Sequence, residues 1–148
     1  MKISTKGRYG LRILLDIVLN GASLPRLARD IATSQNISEK YISRLVIDLR
    51  KAGFIKSIRG AKGGYRMARF PEDITLLEIV ETMEGRTSIV DCVLQPDACI
   101  KVGGCAVHQT WAEINRKIRE VLGEVTLKDI ADKHRQDGRA LGSVDYCI

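Results

Sequence analysis

A chain of 148 residues, 45% hydrophobic and 28% charged, with three prolines and 13 glycines, has the composition of one globular domain with a small appendage. It excludes a large multidomain enzyme and a low-complexity or disordered polymer. The net charge of +6 is unevenly spread: residues 1–69 hold 15 Lys+Arg against 4 Asp+Glu, a surplus of +11, and residues 71–148 hold 9 against 14, a net of −5. A basic half beside an acidic half is the pattern of a nucleic-acid binder with a second module, and membrane-surface binding is the competing reading.

From Thr5 to Asn20 the residues Leu11, Leu14, Leu15 and Val18 recur at helical spacing, with Ser4 or Thr5 as cap and Gly21 as stop. The apolar run Leu11 to Leu19 is broken by Arg12 and Asp16 and is too short to cross a bilayer. No cleavable secretory pattern precedes it, so a cytoplasmic location is expected. A second helix is expected from about Pro25, with Leu27, Ala28 and Ile31 inward before polar Ser34, Gln35 and Asn36. Ser38 caps a third, to about Ala52, whose inner face is Ile42, Leu45, Val46 and Leu49 and whose end is Gly53. Three such helices, the last two joined by a short turn, make a helix-turn-helix unit over about residues 25–52.

Residues 54–68 change character. Phe54 to Arg59 is rich in β-formers, the segment Gly60 to Gly64 is a turn, and Tyr65 to Ala68 can pair back, which predicts a two-stranded wing. The glycines lack the Gly-Lys-Ser/Thr ending and the strand-to-helix context of a phosphate loop, so a nucleotide-binding enzyme is rejected. Thr75 to Glu78 has a capping-box pattern opening a helix with Ile79, Val80 and Met83, which stops at Gly85. Residues 86–104 read as irregular. Trp111, Ile114, Ile118, Val121, Leu122 and Val125 then space out over a long amphipathic helix, Thr126 to Asp129 caps a last short one, and the tail from Gln136 reads as weakly periodic and mobile. The fold expected is mainly α. Residues 1–70 form a winged helix-turn-helix, and residues 71–148 add a cysteine loop (86–108), a long C-terminal dimerisation helix (107–125) and a tail, packed against the first part as one compact unit.

The third helix presents Lys40, Tyr41, Ser43 and Arg44 outward, with Ser38 at its start, and the wing tip carries Arg59 and Lys62 among glycines. A helix entering a major groove needs cations for phosphates and medium-length polar side chains for base edges. Arg44 is suited to a bidentate contact with guanine. Any one of these cations could simply solvate a surface; as a set they point to double-stranded DNA.

Cys92, Cys99, Cys105 and His108 follow a C-x6-C-x5-C-x2-H spacing. Three soft thiolates and one imidazole suit zinc or an iron–sulfur cluster, and the wide gaps do not choose between them. Gly103 and Gly104 are read as allowing tight backbone approach there, and Cys105 precedes a helix whose N-terminal dipole favours a thiolate. A neutral imidazole in place of one thiolate makes a cluster easier to reduce and adds a protonatable ligand. Uncomplexed thiols are the bland alternative. Cys147 reads as a loose thiol and His134 as a dipole partner near a helix C-terminus.

The segments Met1 to Gly10, Ile37-Ser38 through Tyr41, Leu49 to Gly53 and Ser57 to Tyr65 resemble the winged-helix regulators of the IscR, NsrR, RirA and CymR group over roughly residues 1–135. The resemblance implies a homodimer that binds operator DNA through the third helix and wing, with the long helix as dimer contact. His108 matches the histidine ligand of the IscR type, which implies a [2Fe-2S] cluster on Cys92, Cys99, Cys105 and His108. Some members, the CymR type included, lack these cysteines and answer to protein or metabolite signals. Ser43 and Arg44 stand where the IscR type has Glu and Gln, which implies a different operator. Arg8 stands where the NsrR type recruits an acidic residue. The expected function is a transcription regulator, a repressor sensing iron–sulfur or redox status. The alternatives are a winged-helix regulator with structural zinc or free thiols, and a small iron–sulfur electron carrier.

Overall fold

The computed structural model describes residues 3–86 and 88–141, with seven α-helices and one two-stranded antiparallel sheet among them. Cys147 lies outside the described residues. Helix α1 (Thr5–Asn20) starts where the Ser4 side chain accepts the Lys6 amide and stops where the Gly21 amide bonds Ile17. Its deepest face is Ile13, Leu14 and Ile17, with Gly7, Gly10 and Asp16; Leu11, Leu15 and Val18 are only half-buried. The expected stripe is therefore rotated and widened, because α1 is a central helix covered by α2 and α3 on one side and by α4 and α7 on the other. At Gly10 a Cβ would press on the Met83 side chain, so α1 and α4 approach closely.

Helix α2 (Ala28–Gln35) begins three residues later than Pro25 predicts. The reason is that Arg26 is extended and pairs its backbone with Tyr65 of the wing, donating to it over 2.9 Å and accepting from it over 2.8 Å. Helix α3 (Glu39–Lys51) is capped by Ser38 and buries Ile42, Leu45, Val46 and Leu49, as the spacing predicts. Strands β1 (Ile55–Ile58) and β2 (Gly64–Met67) pair with Ile55 opposite Met67 and Ile58 opposite Gly64.

Helix α4 (Leu76–Glu84) is capped by the Thr75 hydroxyl and ends at Gly85 with φ +82°. Only half of the capping box forms, because the Glu78 carboxylate pairs with Arg69 instead of returning to its own helix start. The segment read as irregular contains a one-turn helix, α5 (Asp91–Leu94), and 3-10 turns at Pro96–Ala98 and Val102–Gly104. Helix α6 (Ala106–Glu124) follows, then α7 (Leu127–Leu141). Thr126 and Asp129 satisfy each other's amides. The last helix is 15 residues long, not short, and continues through Gln136. Its length follows from tertiary packing, since Leu127 and Ala131 are buried and α7 lies on α1. The entries to α4 and α7 are also stitched together, Leu76 donating to Val125 (2.8 Å) and Leu127 to Ile74 (2.9 Å).

Candidate nucleic-acid interface and cysteine loop

The buried side of α3 fixes which residues it shows to solvent. Ser38, Lys40, Ser43 and Arg44 are exposed, and so are Arg59 and Lys62 beside the hairpin turn. Tyr41 differs from the rest: it is half-buried, with its ring edge-on to Tyr9 at a centroid distance of 5.9 Å. Lys40, Arg44, Arg59 and Lys62 make no ion pair among the described residues, whereas Lys6 is paired with Asp48 (2.9 Å), Arg26 with Asp16 and Arg69 with Glu78. These four cations lie on the exposed face of α3 and beside the hairpin turn, two places from which phosphates can be reached. An open cleft of about 440 Å³ separates the wing from the starts of α2 and α3, with Arg29, Glu39, Ser57 and Tyr65 on its rim. Sequence reasoning passed over Arg29, whose position follows from the late start of α2.

The hairpin glycines serve different ends. Gly60, at φ +108°, has open space around it and makes the turn. Gly64, at φ +141°, lies so near the Arg26 backbone that a Cβ would stand 2.6 Å from its carbonyl oxygen. Its bare backbone therefore admits the extended segment before α2.

In the cysteine loop, Cys92 lies on α5 and His108 in the first turn of α6, and the His108 Nδ1 stands 3.5 Å from the Cys92 Sγ. Cys105 is the N-cap of α6, and its Sγ accepts the His108 amide at 3.3 Å. Cys99 is exposed on the segment between the two 3-10 turns. Among the described residues no three His, Cys, Asp or Glu side chains converge as a metal site. The structure therefore brings the Cys92 thiol to the His108 ring and the Cys105 thiol to the His108 backbone amide, and Cys99 is exposed. Gly103 and Gly104 have open space around them.

Two side chains that the sequence reading missed hold this region to α6 and α4. The Asn115 Oδ1, buried, accepts the Ile89 amide (3.3 Å) just before α5. Arg119 pairs with Glu81 of α4, a hydrogen-bonded partner that raises the guanidinium pKa further. On the other side of α6, Val107, Trp111, Ile114, Ile118 and Val121 recur at alternating four- and three-residue steps. Trp111 is 36% exposed, Ile114 37% and Val121 60%. The helix has one face turned to its own chain and a second apolar stripe left in solvent.

A helix-turn-helix, a hairpin wing and uncompensated cations on both define a winged-helix DNA-binding protein. The chain belongs to the Rrf2 family, whose model, described as an iron-dependent transcriptional regulator, matches residues 3–133. It is 38% identical over 130 residues to the Rrf2 protein of Nitratidesulfovibrio vulgaris, spanning 88% of this chain and 87% of that one. The solved structure of CymR, described as the global cysteine regulator of B. subtilis, superposes with a TM-score of 0.78 at 38% identity, covering 90% of this chain and 98% of that one. That of T. potens IscR gives 0.73 at 32% identity, covering 97% and 93%. The protein is a transcriptional regulator and not an enzyme, which removes the electron-carrier reading. No helix among the described residues is long and apolar enough to cross a membrane.

Proposed function

We propose that this chain is a dimeric repressor that reads operator DNA with α3 and the wing and whose occupancy of DNA is set by an iron–sulfur cluster. The carrying observation is the approach of the His108 Nδ1 to the Cys92 Sγ at the first turn of α6, the helix that Cys105 caps and that also bears the exposed apolar stripe. Three thiolates with an imidazole are a donor set suited to [2Fe-2S], so Cys92, Cys99, Cys105 and His108 would hold it. When bound, such a cluster supplies a one-electron centre responsive to iron, oxidant or nitric oxide status. The chain's own part is to cap α6 with Cys105, orient His108 on Cys92 and keep α5 on α6 through Asn115.

Dimerisation is supported by the stripe on α6. Two copies packed along it would cover Trp111, Ile114 and Val121 and set two α3 helices for successive major grooves. The DNA contacts proposed are Ser38, Lys40, Tyr41, Ser43 and Arg44 from α3, and Arg59 and Lys62 from the wing. A second reading, a regulator with zinc or free thiols, is favoured by the lack of any three converging donors among the described residues. Anaerobic purification with a visible spectrum, iron and sulfide analysis and DNA binding before and after air distinguishes them. A coloured protein with matched iron and sulfide, whose DNA affinity changes on cluster loss, is expected. A colourless protein with one zinc per chain would overturn the cluster.

A further inference from the structure

Asp16 is the only acidic residue of α1, and its side chain is fully buried. A buried carboxylate is tolerated only when its oxygens are satisfied. Here it accepts Arg26 Nε (2.8 Å), Gln35 Nε2 (3.1 Å) and the Ser34 hydroxyl. All three partners come from the start or the end of the segment that carries α2. The polar residues that read as a helix end, Ser34 and Gln35, thus donate to α1, Ser34 from an exposed position and Gln35 from a half-buried one.

Arg26 is also the residue whose backbone pairs with Tyr65 in β2. The carboxylate therefore holds, through one side chain, the strand segment on which the wing rests. On its other side Gln35 receives Arg12, whose Nε donates to the Gln35 Oε1 over 3.0 Å. The Arg12 guanidinium lies 5.4 Å from the centre of the Tyr9 ring, and Tyr9 packs edge-on against Tyr41 of α3. A continuous set of contacts runs from Tyr65 through Arg26, Asp16, Gln35, Arg12 and Tyr9 to Tyr41. Its ends lie three residues from Lys62 and three from Arg44.

We propose that Asp16 is a positioning residue for DNA binding, one that fixes the wing relative to α3 through Arg26 and Gln35 without touching DNA. This rests on the reading of α3 and the wing as the DNA surface. Stability alone does not require an ion pair at this place, since apolar residues of similar volume commonly serve a core as well. What the carboxylate adds is direction: each of its bonds orients a neighbour whose backbone or ring supports one edge of the surface. Phosphates are spaced by the duplex, so a wing free to drift loses its contacts even when its cations remain.

The test uses the full chain and a DNA fragment that the protein selects from a random-sequence pool. Asp16→Asn keeps the shape and removes the charge. Binding is measured for Asp16→Asn, Lys62→Ala and Arg44→Ala, singly and with each surface change placed on Asp16→Asn. Asp16→Asn is expected to weaken binding about tenfold and to flatten its salt dependence as the wing's phosphate contacts are lost. Lys62→Ala should then cost little on the Asp16→Asn background, while Arg44→Ala costs as much as before. Hydrogen exchange of the Arg26 and Tyr65 amides should accelerate while that of Leu45 and Leu49 in α3 does not. If Asp16→Asn does not fold, Arg26→Gln cuts the same tie while Asp16 keeps Ser34 and Gln35, and the same pattern is expected. Additive Lys62 and Asp16 effects, or unchanged exchange at Arg26 and Tyr65, would overturn the proposal. A Lys62→Ala change silent in the wild-type chain would instead overturn the surface reading, and the positioning role with it.

Discussion

The Gly7 amide in the first turn of α1 donates to the Glu84 carboxylate at the last turn of α4 over 2.9 Å, and a Cβ at Gly7 would collide with that same oxygen. Glu84 also accepts the Ser4 amide (3.1 Å) and hydroxyl (2.7 Å). An acid from a distant helix thus supplies the negative charge that the first turn of α1 lacks in its own sequence. With Glu81 on Arg119, α4 joins the start of α1 to the helix that follows the cysteine loop.

Gly7→Ala is therefore expected to destabilise the fold by about 1–3 kcal/mol, the usual cost of overpacking. Glu84→Ala should cost about 1.5–3 kcal/mol, the range for hydrogen bonds to a charged group. Denaturant unfolding at constant pH measures both. Because the two residues share one contact, the double variant should lose less than the sum of the singles. Full additivity would mean that the contact carries no energy.

The start of α7 gives a pH prediction. The Thr126 hydroxyl and then its amide, donating to Asp129, hold that carboxyl below its ordinary pKa. The hydrogen bond from Lys128 does the same for Asp132. A depressed native pKa stabilises the folded state above the unfolded carboxyl's value near about 4, and the contribution is lost as pH falls through the native value. Exchange protection in the first turn of α7 should accordingly fall on acidification below about pH 4. Asp129→Asn should flatten that acid limb, and an unchanged acid profile would show that the cap does not anchor α7.

Much of this was legible in the chain because local rules carried it. Ser38 as a cap, the i, i+3, i+4 positions of α3 and the glycine-rich turn between two β-forming runs all specify their own conformations. What failed was non-local. Arg26 is extended because Tyr65, 39 positions on, offers its backbone. Glu78 abandons its capping box because Arg69 competes for the carboxylate. Asp16 appeared as an interruption of an apolar run because its partners, Arg26, Ser34 and Gln35, are 10 to 19 residues away. At the cysteine loop, spacing identified a donor set but not which donors meet.

The stripe on α6 leads to a prediction about assembly. Ile114→Glu would place a charge at the middle of the proposed interface and leave the hydrogen bond from the Ile89 amide to Asn115 in place. Sedimentation velocity should show monomers at concentrations where the wild-type chain is dimeric, with an unchanged helical signal. DNA affinity should fall with it, since two linked half-sites are replaced by one. A dimer that survives Ile114→Glu would move the interface elsewhere.

The roles of Cys92 and His108 can be separated by chemistry. Cys92→Ser should abolish cluster loading, seen as loss of visible absorption and of bound iron after anaerobic purification. His108→Cys should retain loading and lower the reduction potential, because a fourth thiolate adds negative charge where imidazole added none. Potentiometric titration reads this directly. A potential unmoved by His108→Cys would show that His108 is not a ligand and that its approach to Cys92 is packing.

Arg44 and Lys62 should fail in different ways. Arg44 is exposed at the middle of α3, where a guanidinium can address two acceptors on one guanine edge. Lys62 sits on the hairpin tip, where a flexible ammonium suits a phosphate as a point charge. Arg44→Ala is expected to lose about 1–3 kcal/mol of preference for the selected fragment over random duplex. Lys62→Ala should weaken both fragments alike and reduce the slope of log affinity against log salt by about one. Binding to both duplexes across a salt series measures the two effects in one experiment. Equal loss of specificity from both substitutions would mean that the wing reads bases too, and a salt-independent affinity would remove the phosphate contacts altogether.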